Sequence, residues 1–145
     1  MFNIIKKKQP TSLYFAYGAN MSKRSMEERC PNAVPVKPFY LVGYRLLFSY
    51  HATIEPDMGS VVPGCLWEIT DDDERALNGF EGYPTYYNKL YLRQDGDSIM
   101  AYQMNHPLNI NHRPAAGYVR LLEEGYKDWG LDPQYLDDAV YYGIK

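Results

Sequence analysis

Between Thr70 and Pro84 the sequence "TDDDERALNGFEGYP" marks both ends of a helix, and this limits the fold more than any other segment. Thr70 or Asp71 opens it, and the acidic run "DDDE" fills the first turn, where the helix dipole favours negative charge. Gly82 and Pro84 stop it, and Leu77 with Phe80 is expected to form its apolar face. Strand material flanks this helix on both sides. Upstream, the aromatic-rich "SLYFAYG" reads as a strand ending at a glycine, followed by a loop "GANM" and a short helix "KRSMEER" capped by Ser22 and ended near Cys30-Pro31. Residues from Val34 to Tyr50 and the run "GSVVPGCLWEI" read as further strands, the latter with a glycine-marked bend. In "IEPD" the proline and the glycine that follows favour a turn over a carboxylate pair made by Glu55 and Asp57.

Downstream, "YYNKLYLRQDGDSIMAYQM" reads as two strands about a turn at Asp95-Gly96-Asp97. Pro114 can start a helix whose stripe is Tyr118, Leu121, Leu122, Tyr126 and Trp129, closed by Gly130. Asp132-Pro133 caps a last helix with Tyr135, Leu136, Ala139 and Val140 expected inward. The class is α+β, and 145 residues without repeat or linker predict one domain over 1–145.

Charge and motif usage remove several function classes. A net charge of −3, with Lys6-Lys7-Lys8 as the only basic run, gives no field for gathering nucleic acid. "MFNIIKKKQP" lacks the apolar core of a secretory signal and no stretch is long enough to span a bilayer, so a soluble, cytoplasmic protein with no membrane partner is expected. Cys30 and Cys65 lie far apart without CxxC spacing and read as buried free thiols. His51, His106 and His112 show no HxxxH or HxH pairing, which gives no metal site, and no GxSxG, Walker loop or GxGxxG occurs. Of the fifteen tyrosines, two or three are expected to touch a ligand, with the rest in the core or lining a barrel.

Two places carry chemistry. Glu81 falls in the last turn of its predicted helix, where unpaired carbonyls make the potential negative, and Phe80, Tyr83, Tyr86 and Tyr87 are placed to exclude water. Both effects raise a carboxyl pKa toward the range useful for moving protons. The same pattern also describes a solvated glutamate at a helix end. At "YGAN", a strand passes through Gly18 into a helix and leaves backbone N–H groups free to cradle a carboxylate or phosphate, although many plain tight turns look alike.

Four segments in series resemble the γ-glutamylcyclotransferases. "LYFAYGAN" is similar to that family's "YFAYGSN" opening, "ATIEPDMGSVVPGCLWEI" to its strand pair, "NGFEGYP" to its helix-end "D-x-x-E-G", and "PAAGYVRLLEEGYKDWGLDPQYLDDA" to its C-terminal helices. The likeness runs from about Leu13 to Ala139. It implies a small mixed β-barrel flanked by α-helices, with a cavity at the barrel mouth. It also implies that Tyr14, Phe15, Ala16, Tyr17, Gly18, Ala19, Asn20 and Tyr118 bind the substrate and that Glu81 is the general base and acid. The implied reaction closes a γ-glutamyl amide or peptide into 5-oxoproline and releases the amino compound, without cofactor. Ala19 replaces the family's usual serine, and Asn78 stands where aspartate is common. Two other readings share the pocket: a cyclotransferase for γ-glutamylamines, and a non-catalytic module that binds a small amino-acid-like or nucleotide ligand. The leaving-group end is expected in loops such as "NHPLNINH".

Overall fold

The computed structural model describes residues 9–141 of the chain. The Lys6-Lys7-Lys8 run lies outside them. Along the chain come β1 (Thr11–Ala16), a 3-10 turn (Ala19–Met21), α1 (Lys23–Arg29), β2 (Val34–Ser49), β3 (His51–Thr70), α2 (Asp71–Glu81), β4 (Tyr87–Gln94), β5 (Asp97–Met104), α3 (Ala116–Trp129) and α4 (Pro133–Tyr141). This is the α+β class with helices flanking a five-stranded sheet of order β2-β3-β1-β5-β4. β1 and β5 run parallel and the other pairs antiparallel, so the sheet is mixed.

The sheet is not a closed barrel, which corrects the expectation above. Where closure would bring the start of β3 to the end of β5, side chains replace the ladder: Met104 N donates to Thr53 Oγ1 at 2.9 Å and Gln103 Nε2 donates to the Ile54 carbonyl at 3.1 Å. β2 and β4 therefore remain edges.

β2 and β3 form one long hairpin whose tip is Tyr50, in the left-handed region at φ 65° between the paired Ser49 and His51. The turn expected at "IEPD" is not a chain reversal. Glu55 pairs with Arg45 and Pro56 with Tyr44, and the break comes just after, where Asp57, Met58, Gly59 and Ser60 stand opposite Gly43 alone. Farther on, Gly64 lets β3 close on β1: a Cβ there would lie 2.4 Å from the Ala16 carbonyl oxygen. The β4–β5 hairpin turns at Asp95 and Gly96, both with positive φ (53° and 83°), as the D-G pair predicted.

α2 has the ends its sequence announces. Thr70 Oγ1 accepts from Asp73 N while an Asp73 carboxylate oxygen accepts from Thr70 N, a capping box, and Gly82 closes the helix in the left-handed conformation. Only Leu77 of the expected apolar pair is buried; Phe80 is 48% exposed and lies beneath the Arg29 guanidinium, 3.5 Å from the ring centroid. In α4, Leu136 and Val140 face inward, but Tyr135 sits at the surface with its ring edge-to-face on Tyr40. α3 begins at Ala116, two residues beyond Pro114. Cys30 and Cys65 are buried free thiols. No helix among the described residues is long and apolar enough to cross a membrane.

The buried side chains form one cluster, and its two tryptophans position the turn after β1. Trp67 Nε1 donates to the Asn20 carbonyl at 3.0 Å and Trp129 Nε1 to the Met21 carbonyl at 2.7 Å, with their rings edge-to-face at 5.4 Å. Gly125 of α3 permits this approach, since a Cβ there would lie 2.6 Å from Met21 Cβ. A strand from the sheet and a helix from the far end of the chain thus hold two consecutive residues, Asn20 and Met21, in place.

Candidate active site

Beside that turn lies a cavity of about 230 Å³. One wall is Tyr14 from β1 and the run Tyr17 to Asn20; another is Phe80 and Glu81 at the end of α2; Tyr86 comes from the approach to β4, Tyr87 from β4 and Tyr102 from β5; His51 and Ala52 come from the β2–β3 tip, and Tyr118 from α3. The glycine turn and the helix-end acid, which the sequence leaves as separate signals, share one enclosure. Six tyrosines line it. Phe15 and Ala16 do not: Phe15 takes the opposite face of β1 from Tyr14 and packs against Gly64 and Phe39, and Ala16 is buried in the core.

Asn20 is the hub of the polar contacts. It is 2% exposed, and its side-chain carbonyl accepts from Arg29 Nη1. That leaves the amide nitrogen turned to the cavity, where Nδ2 donates to the Tyr14 hydroxyl at 2.9 Å and to Glu81 Oε1 at 3.2 Å. Glu81 Oε2 has no hydrogen-bond partner among the described residues. Burial among rings pushes the Glu81 carboxyl up from 4.5 to about 7, and the nearby Arg29 guanidinium opposes this only in part. The cause is therefore mainly desolvation, as in a proton-transfer group, and not a neighbouring acid.

The other hydroxyls fix the walls. Tyr17 donates to the Tyr102 carbonyl, Tyr87 to the Ala52 carbonyl at 2.6 Å, and Tyr102 to Asn78 Oδ1 at 2.7 Å. Ala52 N donates to the Tyr118 oxygen at 3.0 Å. Burial raises the hydroxyls of Tyr14, Tyr17, Tyr87, Tyr102 and Tyr118 further above the ordinary tyrosine value, and the Glu81 carboxylate adds to this, so all stay protonated donors or acceptors near neutral pH. In the 3-10 turn the first backbone bond runs from Met21 N to the Gly18 carbonyl. The amides of Ala19 and Asn20 consequently have no partner within the turn and none among the described residues. Among the described residues, no lysine or arginine lines the cavity.

The model of the family described as "Gamma-glutamyl cyclotransferase, AIG2-like" matches residues 14–128. The chain belongs to the AIG2-like gamma-glutamyl cyclotransferase family. Among solved structures, the fold is similar to one described as a gamma-glutamyl cyclotransferase, at TM-score 0.76 and 22% identity, covering 94% of this chain and 89% of that one. It is equally similar to an uncharacterized protein from Homo sapiens (TM-score 0.76, 24% identity, 93% and 88% covered). An AIG2-like protein from Mus musculus matches less closely, at TM-score 0.54 and 18% identity, over 75% of this chain and 82% of that one. At these identities the solved structures speak to the fold. No curated protein gives a significant match.

Within this family member, the two departures from the usual pattern sit differently. Ala19 lines the cavity and offers only its backbone there. Asn78 lies one turn before Glu81 but turns to Tyr102, whose hydroxyl it accepts, so it braces a wall. Tyr83, expected around the acid, is outside the lining and packs on Tyr102 and Lys89 instead. None of residues 105–112 lines the cavity; that loop packs near the β2–β3 tip, with His112 stacked on Tyr50 and His106 paired with Glu55. Sequence reasoning missed Arg29, His51, Ala52 and Tyr102. His51 shares no metal pattern with the other histidines, and nothing local in the chain marks the rest.

Proposed function

We propose that this protein is a γ-glutamylcyclotransferase: it closes a small γ-glutamyl amide or peptide into 5-oxoproline and releases the amino compound, with Glu81 as base and then acid. The observation that carries the reading is the Asn20–Glu81 hydrogen bond, because it puts a carboxyl with a pKa near 7 in the same cavity as the unpaired amides after Gly18.

A γ-glutamyl compound contains its own nucleophile. Its α-amine, pKa near 8, must lose a proton before attack. A carboxylate of pKa 4.5 would accept that proton uphill by roughly 5 kcal/mol, whereas one near 7 faces little more than about 1 kcal/mol. Glu81 Oε2, free of protein donors, takes the proton. The amine nitrogen bonds to the γ-carbon and the five-membered ring forms; Glu81 hands its proton to the departing nitrogen as the amide C–N bond breaks, then carries the second proton of the ring nitrogen to the released amine, which leaves as an ammonium. No water enters the balance.

Geometry supplies much of the rest. The α-carboxylate of the glutamyl head fits the Ala19 and Asn20 amides and the Tyr118 hydroxyl, and anchoring it folds the chain toward attack; well-oriented ring closures gain about 7–11 kcal/mol at best. Tyr14, Tyr17 and Gly18 complete the binding wall, while Phe15 and Ala16 act only through the core beneath it.

Glu81→Gln keeps the shape and the hydrogen bond from Asn20 but loses the base. Release of 5-oxoproline from γ-glutamyl dipeptides, γ-glutamylamines and glutathione is expected to fall about 10²–10⁴-fold with KM little changed. Turnover within a few-fold of the parent protein would remove Glu81 from this role. The substrate that the parent protein turns over fastest names the leaving amine.

A further inference from the structure

Apart from Tyr86, whose hydroxyl faces His51 Nδ1 at 3.5 Å, the tyrosines around the cavity leave two hydroxyl protons over. Tyr17, Tyr87 and Tyr102 each donate to a protein acceptor. Tyr14 and Tyr118 do not, because their partners, the Asn20 side-chain amide and the Ala52 backbone N–H, can only donate. Each of these two oxygens is an acceptor in its bond, so its own proton points elsewhere. No acceptor for either lies within hydrogen-bonding distance among the described residues. A hydroxyl donor left unmet in so buried a place is costly, and the cavity is where each can be met.

Asn20 also fixes how far the Tyr14 hydroxyl stands from the acid. Its amide nitrogen sends one hydrogen to Tyr14 and one to Glu81 Oε1, at 2.9 and 3.2 Å. With roughly 120° between the N–H bonds of a planar amide, the two oxygens are about 5 Å apart. A reacting carbonyl centre fits that gap, its nitrogen one hydrogen bond from the carboxylate and its oxygen one hydrogen bond from the tyrosine. Tyr118 stands elsewhere. Its oxygen is 3.3 Å from the place a Cβ on Gly18 would take, at the end where the glutamyl head is held.

We propose that the Tyr14 hydroxyl is the oxyanion donor of this site, positioned by Asn20; the assignment rests on the cyclotransferase reading above. As the amine nitrogen bonds to the γ-carbon, the C=O π pair moves onto oxygen, and the Tyr14 O–H donates a hydrogen bond to it without giving up its proton. When the oxyanion collapses, the C=O bond re-forms, the amide C–N bond breaks and the proton on Glu81 goes to the leaving nitrogen, after which Glu81 takes the second proton from the ring nitrogen and passes it to the released amine. Tyr14 ends as it began. Asn20 is a positioning residue that acts through both groups.

The test is Tyr14→Phe, assayed for 5-oxoproline release across pH. Loss of a single oxyanion donor is expected to lower kcat about 10²–10³-fold. KM should stay within about twofold, and the acid limb of kcat near pH 7 should not move, because Asn20 still holds Glu81. A kcat within about threefold of the parent protein overturns the assignment while leaving the cyclotransferase reading standing. A parent protein that releases no 5-oxoproline from any γ-glutamyl compound overturns that reading and this assignment together. Should Tyr14→Phe not fold, 3-fluorotyrosine at position 14 keeps the ring and strengthens the O–H donor. A raised kcat at pH 7 then supports the role, and an unchanged or lowered one overturns it.

Discussion

The floor and the mouth of the cavity are built on different terms. The floor is Tyr14, Tyr17, Asn20, Ala52, Tyr87 and Tyr102, all buried, with most polar atoms committed to protein partners. The mouth is Phe80 and Tyr86, 48% and 43% exposed, with His51. Glu81 belongs to neither completely: it is half-buried at a helix end, tied to the floor by Asn20 alone. Under the proposed cyclotransferase function, a rigid floor suits an invariant glutamyl head, and an open rim of rings suits a leaving group that varies. The contrast predicts that stability and catalysis depend on the floor and that substrate choice depends on the mouth.

The hardest way to break the floor is through the tryptophan clamp. Trp129→Ala removes a buried ring and the donor to the Met21 carbonyl, and should cost about 3–5 kcal/mol in urea unfolding. If the loss were under about 1 kcal/mol, the turn after β1 would not depend on α3, and the floor would be no more rigid than the mouth.

Glu81 sharpens the comparison from the energetic side. Its pKa is raised in the folded state, from 4.5 to about 7, so between those values the native protein holds a proton that the unfolded chain has released. Stability from this group is present below about pH 4.5 and is lost as pH rises through about 7. Glu81→Gln carries no such penalty. The variant should therefore match the parent near pH 4 and gain on it up to neutrality, by about 2–3 kcal/mol at pH 8. Measured as the difference in urea midpoints across pH, a flat difference would mean the carboxyl is not desolvated. A gain in stability together with lost turnover is what a strained catalytic group should show.

How much of this was legible in the chain follows from the range of each signal. The ends of α2, the cap at Ser22 and the Asp95-Gly96 turn are local chemistry and stand where the residues put them. The open sheet was not legible, because closure turns on whether Thr53 and Gln103 replace a backbone ladder, which pattern does not reveal. "IEPD" misled because a proline at a register break resembles one at a turn. In the site, strand periodicity separates Tyr14 from Phe15 but puts Ala16 on the face of Tyr14, so the absence of Ala16 from the lining shows only in the fold. Asn20 as a four-way junction to Tyr14, Arg29, Trp67 and Glu81 reaches residues up to 61 positions away from it and exists only in the fold.

The smallest effect expected is at the mouth. Phe80→Ala removes an exposed ring and the platform beneath Arg29, and should change stability by about 0.5–1 kcal/mol, since exposed cation–π contacts are weak. Its kcat should be close to that of the parent, because Asn20 and Glu81 are untouched. KM should separate substrates: nearly unchanged for γ-glutamyl-alanine, and a few-fold higher for γ-glutamyl-phenylalanine, whose larger leaving group reaches the rim and loses ring contact. Equal KM changes for the two would mean that the rings at the mouth only shield Glu81 from water. In that case kcat and its pH dependence would move instead, since water reaching the carboxyl would lower its pKa and weaken it as a base. The two outcomes assign the mouth to recognition or to desolvation, and only the first keeps it functionally apart from the floor.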